Sequence, residues 1–122
     1  MRQMKRVING KKYNCETARC IGFFESRLSQ SDFGYLEEEL YLKKTGEYFL
    51  AGEGHGLTKY RSSCGNSSGY GYGIIPISRK EALEWASYHL DVEEIEDYFG
   101  EIEEWYLKQH WKMHLRVATM CL

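Results

Sequence analysis

Two alternating apolar runs on either side of Lys44-Thr45-Gly46 constrain this chain more than any other feature of it. Successive side chains of a strand point to opposite faces. Between about residues 38 and 51, Leu40, Leu42, Tyr48 and Leu50 therefore fall on one face, and Tyr41, Phe49 and Ala51 on the other. Gly46 suits the left-handed position of a bulged hairpin turn. A hairpin of this kind needs a covering layer, and the expected fold is α+β: a small antiparallel sheet built on this hairpin, packed by helices from the C-terminal half.

The flanking segments fill in that picture. Asn9-Gly10 inside VINGKKY is a strong two-residue turn signal and predicts a short hairpin arm. Asn14 is placed to cap a short helix over ETARCIGFF, which Gly22 weakens. ESRLSQSDFGY is polar and Ser-rich and reads as a loop. Gly52 to Gly73 holds seven glycines and four serines in 22 residues, which predicts a long irregular loop. Ser78 followed three residues later by Glu81 is a capping box, with Pro76 just ahead, and opens a helix. Asp91 and Glu94 repeat the pattern for a shorter helix carrying Val92, Ile95 and Phe99, which Gly100 ends. The tail 101–122 is expected to be helical, with Leu107, Trp111, Leu115 and Ala118 on one face.

At 122 residues, 43% of them hydrophobic, the chain has the length for one domain with its own core and is short for two. It has no apolar run near membrane-spanning length, and MRQMKRVINGKKY has no apolar export core, so a cytoplasmic location is expected. In that setting the four cysteines read as reduced thiols or metal ligands. The net charge of −2 hides an asymmetry: residues 91–122 carry eight acidic and three basic side chains. That field favours a basic partner surface over a phosphate backbone.

Candidate contact residues follow. Asp91, Glu93, Glu94, Glu96, Asp97, Glu101, Glu103 and Glu104 could set closely spaced carboxylates against a basic partner; equally, they favour the helix dipole and solvate an outer face. Tyr60, Tyr70 and Tyr72, with Arg61, lie in the Gly-rich segment and are of the types enriched at interface hot spots, or else they cover the core. Trp85, Trp105 and Trp111 sit on expected helices and read as core. Cys15 and Cys20 have metal-ligand spacing, and one structural zinc ion would draw its second pair from His55 and Cys64 or from His110 and His114. The alternative is two buried thiols and solvent-facing histidines. Gly65-Asn66-Ser67-Ser68-Gly69 matches G-x-S-x-G formally but lacks the strand before and helix after that a nucleophile elbow needs. Gly52-Glu53-Gly54-His55-Gly56 lacks the Gly-Lys-Ser/Thr ending of a phosphate loop. No catalytic constellation remains, and a binding protein is expected rather than an enzyme.

Three of these motifs occur in a fixed order: INGKKYNCETA near the start, a hairpin ending in Gly52-Glu53-Gly54, and the helix opening IIPIS at 74–78. In this the chain resembles a family of small proteins carried by phages and plasmids, several of which are anti-CRISPR proteins acting on type II, Cas9-type nucleases. The resemblance covers roughly residues 7–100 and leaves the tail outside it. Cys15 departs from the family pattern, where Thr is commoner, which favours a role particular to this chain. The resemblance implies stoichiometric binding to a guide-RNA-loaded type II effector, blocking DNA loading or cleavage, with monomer or dimer left open. A second expectation from the residues is a mobile-element nucleic-acid-binding regulator using Lys5, Arg6, Lys11, Lys12 and Arg19, against which the overall acidity counts. An enzyme acting on the guide or the effector is a third, and would inhibit below one equivalent.

Overall fold

The computed structural model describes residues 4–64 and 67–102. Eight strands precede two helices: β1 (Lys5–Ile8), β2 (Lys11–Asn14), β3 (Arg19–Glu25), β4 (Leu36–Leu42), β5 (Tyr48–Gly54), β6 (Ser62–Cys64), β7 (Ser67–Gly69), β8 (Gly71–Ile77), α1 (Arg79–His89) and α2 (Val92–Phe99). The fold is α+β. Strands β3-β4-β5-β8 form one antiparallel sheet in that order, while β1-β2 and β6-β7 are separate hairpins. The chain divides after Asp91 into two compact units, the second of which begins with α2. The expected tail helix, with Glu103, Glu104, Trp105, His110, Trp111 and His114, lies outside the described residues.

Local chemistry accounts for the turns. Asn9 and Gly10 both have positive φ, 51° and 78°, as a two-residue hairpin turn demands. In the central hairpin the Gly46 N–H donates to the Lys43 carbonyl at 2.9 Å and Lys43 N–H to the Glu47 carbonyl at 2.8 Å, closing a three-residue loop with Gly46 at φ 94°. Pairing of Leu40 with Leu50, Tyr41 with Phe49 and Leu42 with Tyr48 gives the facial alternation expected of that hairpin. At α1 the capping box is complete: Ser78 Oγ accepts from Glu81 N–H at 3.0 Å, and a Glu81 carboxylate oxygen accepts from Ser78 N–H at 2.9 Å. The one proline, Pro76, sits on edge strand β8, where its missing N–H breaks no interior ladder.

Both faces of the sheet are covered. On one, the β1-β2 hairpin brings Met4, Tyr13 and Cys15 onto Tyr41, Phe49, Ala51 and Ile74. Tyr41 stacks on Phe49 at 5.1 Å, and Tyr13 meets Phe49 edge-on at 5.5 Å. On the other face, α1 packs over β3 and β5 and buries Ala82, Trp85 and Ala86.

Two expectations from the sequence fail here for physical reasons. ETARCIGFF does not form a helix. Asn14 caps a turn instead, its Oδ1 accepting from Glu16 N–H at 2.9 Å and its carbonyl from Thr17 and Ala18 N–H, and the chain then enters β3. Gly22, a weak helix residue, serves β3 well: a Cβ there would lie 2.9 Å from Leu90 and 3.0 Å from Trp85. The described part of Gly52 to Gly73 is only partly irregular: it completes β5, forms β6-β7 and starts β8, and residues 55–61, between β5 and β6, are turns, bends and irregular chain. Its glycines mark close approach: a Cβ on Gly52 would strike the Tyr60 ring, and one on Gly71 the backbone of Tyr60, Arg61 and Ser62.

In the β4-β5 turn Glu47 binds Lys11 at 2.7 Å and Lys43 at 2.9 Å, and these hydrogen bonds lower its carboxyl from 4.5 to about 2. A carboxylate with a depressed folded pKa contributes stability that is fully present above its unfolded value and lost as pH falls through the folded one. Wild type is therefore expected to lose stability to urea between about pH 4.5 and about pH 2, more steeply than Glu47→Gln; parallel curves would assign the acid limb to other groups. For the glycines, Gly71→Ala should cost about 2 kcal/mol or more, because the obstruction is backbone. Gly73→Ala, whose Cβ would meet nothing within 4 Å, should change urea stability by less than about 0.5 kcal/mol.

Candidate partner-binding surfaces

The strand register assembles an acidic row that the sequence reading missed. Glu25 lies opposite Glu37, Glu37 opposite Glu53, and Glu53 opposite Tyr72, one line across all four strands. Like charges directly opposite one another destabilise a sheet, and tyrosine hydroxyls offset this here. Tyr35 Oη lies 2.8 Å from a Glu25 oxygen and 2.6 Å from one of Glu37. Burial, then these two carboxylates, raises the Tyr35 hydroxyl well above its ordinary range, so it stays a donor. Tyr70 Oη donates to Glu53. His55 sits edge-on to Tyr70 at 4.7 Å and holds the Gln30 carbonyl at 2.5 Å through Nε2. Beyond this rim lie Phe33 and Leu57, 70% and 78% exposed and joined by a Leu57 N–H to Phe33 carbonyl bond.

Tyr70 and Tyr72 thus belong to an acidic and aromatic surface, both being exposed. Tyr60 does not share it. Tyr60 is buried on the opposite face, where its hydroxyl donates at 2.7 Å to Glu38, itself only 2% exposed. The same carboxylate accepts from Trp85 Nε1 at 2.8 Å and pairs with Lys59 at 2.9 Å. A buried carboxylate costs several kcal/mol unless it is paired and hydrogen-bonded; Glu38 has three partners. Burial, and then the Glu38 charge, pushes the Tyr60 hydroxyl far up. Burial lowers His89, stacked at 3.9 Å on Phe24.

The acids of the second unit ride on a short helix. Asp91, at the junction, and Glu93, Glu94, Asp97 and Glu101 are exposed, Glu96 is half-buried, and Ile95 and Phe99 are buried. Glu96 ties down the end of α2, accepting Gly100 N–H on its carbonyl and Ile102 N–H on its carboxylate.

Of the expected zinc ligands, the described ones, Cys15, Cys20 and His55, are not gathered together. Cys15 is buried and Cys20 exposed, with the Cys20 thiol 3.9 Å from Glu39. Desolvation pushes both thiols up, which keeps them protonated and disfavours metal-binding thiolate. His55 follows Gly54, paired with Leu36, whereas Cys20 pairs with Tyr41 at the other end of β4. Five residues of strand, roughly 17 Å, separate those levels, while zinc holds its ligands at about 2.0–2.3 Å. Among the described residues no three of His, Cys, Asp and Glu are grouped to hold a metal. The Cys64 side chain and His110 and His114 lie outside the described residues. Among those described, no helix is long and apolar enough to cross a membrane.

Compared with known proteins, the chain matches no protein-family model, no curated protein and no solved structure.

Glu25, Glu37 and Glu53 were hidden because their alignment needs β3 to be a strand; the signal available was LEEEL with Glu53 at the matching hairpin position. For Glu38, truncation strands two hydrogen-bond donors and leaves Lys59 unpaired. Glu38→Ala is expected to lower urea stability by about 3 kcal/mol or more, and Tyr60→Phe by about 1–2 kcal/mol. A loss below about 1 kcal/mol for Glu38→Ala would show that the three partners find water instead.

Proposed function

We propose that this protein is a stoichiometric inhibitor of a type II, Cas9-type CRISPR effector, presenting carboxylates to a basic nucleic-acid-binding surface of the nuclease. The observation that carries the reading is the line Glu25-Glu37-Glu53 set by strand register beside Tyr70 and Tyr72. The exposed acids Glu93, Glu94 and Asp97 of α2 add a second set. The guide-DNA channel of such nucleases is positively charged, and fixed carboxylates can compete there for sites that otherwise bind phosphate. The ordered motifs INGKKYNCETA, Gly52-Glu53-Gly54 and IIPIS, through the family they resemble, supply the target class.

A nucleic-acid-binding regulator is the second reading, favoured by one observation: Lys5, Arg6, Lys11 and Lys12 are exposed along the two-stranded β1-β2 ribbon. A ribbon of this width fits the major groove. Lys5 and Lys11, however, are already paired with Glu16 and Glu47.

The test is a cleavage titration of guide-loaded type II nuclease, with the protein added before or after target DNA. Inhibition near one equivalent, strongest when the protein comes first, is expected. Glu25→Lys/Glu53→Lys and Glu93→Lys/Glu94→Lys/Asp97→Lys, checked for fold by circular dichroism, should each raise the half-inhibitory concentration about tenfold or more. Unchanged inhibition by both variants would remove the acidic surfaces from the mechanism. Inhibition well below one equivalent would indicate an enzyme. Absence of any complex, together with a salt-dependent shift of duplex DNA, would establish the regulator.

A further inference from the structure

The opposite end of the sheet carries the opposite charge, and there it is concave. The Asn14 turn delivers Thr17, Ala18 and Arg19 beside the mouth of the central hairpin. Between these and Leu42, Lys43 and Lys44 lies a cleft of about 500 Å³. A second cleft of about 180 Å³ shares Thr17, Lys43 and Lys44 with the first and adds Lys12, Asn14 and Thr45. Four cations, Lys12, Arg19, Lys43 and Lys44, thus line these two adjoining clefts, and among the described residues no carboxylate lines either of them.

The cations are held in unequal ways. Lys43 is fixed, bonded to Glu47 at 2.9 Å and lying 4.2 Å from the Tyr13 ring centroid. Glu47 divides its charge between Lys43 and Lys11. Lys12 and Lys44 are exposed and form no ion pair among the described residues. Lys12 and Lys44 therefore add positive charge to the clefts that no described ion pair offsets, and concave walls intensify such a potential. Asn14 Oδ1 is occupied by Glu16 N–H, which leaves its amide to donate.

We propose that these joined clefts bind a compact di- or triphosphate, the group carried by nucleoside polyphosphates. Size and charge choose this class. The larger cleft falls within the usual range of small-ligand sites, about 300–1,000 Å³. Cations on both walls suit a group with charge on several oxygens around linked phosphorus atoms better than a single carboxylate. A nucleic-acid backbone favours a strongly basic chain, and this one is acidic overall, at −2. The clefts lie at the Leu42–Tyr48 end of the hairpin and the acidic row at the Leu36–Gly54 end, so the site is independent of the nuclease reading.

The test is an NMR titration of the ¹⁵N-labelled protein with inorganic pyrophosphate, with ADP, and with a single-stranded oligonucleotide lacking terminal phosphates. Saturable amide shifts confined to residues 14–19 and 42–46 are expected for pyrophosphate and ADP, with much weaker effects from the oligonucleotide. Lys44→Glu and Lys12→Glu should each weaken pyrophosphate binding about tenfold or more, while Lys80→Glu on α1 leaves it unchanged. Both substituted lysines are exposed, and matching spectra away from the clefts report that the fold is intact. Absence of saturable shifts at millimolar pyrophosphate, or equal affinity in Lys44→Glu, would overturn the proposal. Tighter binding of the oligonucleotide through the same amides would replace it with recognition of a phosphodiester backbone.

Discussion

A single carboxylate, Glu38, ties the helix-covered face of the sheet together. It projects from β4 into the space beneath α1 and is reached there by Trp85 from the helix and by Lys59 and Tyr60 from the connection between β5 and β6. These three elements are far apart in sequence, and none could replace the hydration Glu38 gives up on burial by itself. The desolvation cost is large enough, several kcal/mol, that the arrangement is stable only when the partners arrive together. Helix position, loop position and strand register are thereby coupled: sliding β4 by one residue would turn Glu38 to the hairpin side and leave Trp85 Nε1 facing apolar side chains.

The glycines make that coupling sterically possible. Tyr60 can reach Glu38 because Gly52 and Gly71 present no side chain where its ring and backbone cross the sheet, and Trp85 can approach β3 because Gly22 has none either. On the other face Tyr13, Tyr41 and Phe49 form one contiguous aromatic cluster, Tyr41 stacked on Phe49 and Tyr13 edge-on to it. Electrostatically the sheet is polarised along its strands. Lys12, Arg19, Lys43 and Lys44 crowd one end, and Glu25, Glu37 and Glu53 the other.

What was legible in the sequence was what short-range chemistry decides. Asn9-Gly10, Lys44-Thr45-Gly46 and Ser78 with Glu81 each satisfy or demand a local backbone geometry, and all three hold. The α+β class followed from them. The failures share one cause. ETARCIGFF and the Gly/Ser segment take their conformation from partners elsewhere, β4 for the first and β5 with Tyr60 for the second, and no periodicity inside a segment reports a partner outside it. The candidate surface suffered likewise: Tyr70 and Tyr72 were within reach of composition, but the carboxylates beside them become neighbours only once register is known. Tyr60 looked like its two loop companions and went to the core because Gly52 opens a slot for it.

The way β6-β7 joins the sheet has an evolutionary side. Gly54 and Gly71 are directly paired, so the chain leaves the sheet and returns to it at one level, and the little hairpin's own strands pair again from Ser62 with Gly69. Extra residues placed beyond that second closure would lengthen a loop whose ends are already joined, at an entropic cost that grows only with the logarithm of its length. Descendants of such a chain can redraw the tip between β6 and β7 freely while the sheet, the Glu38 centre and α1 keep their places. Novelty in recognition is then cheap at that tip and expensive almost everywhere else.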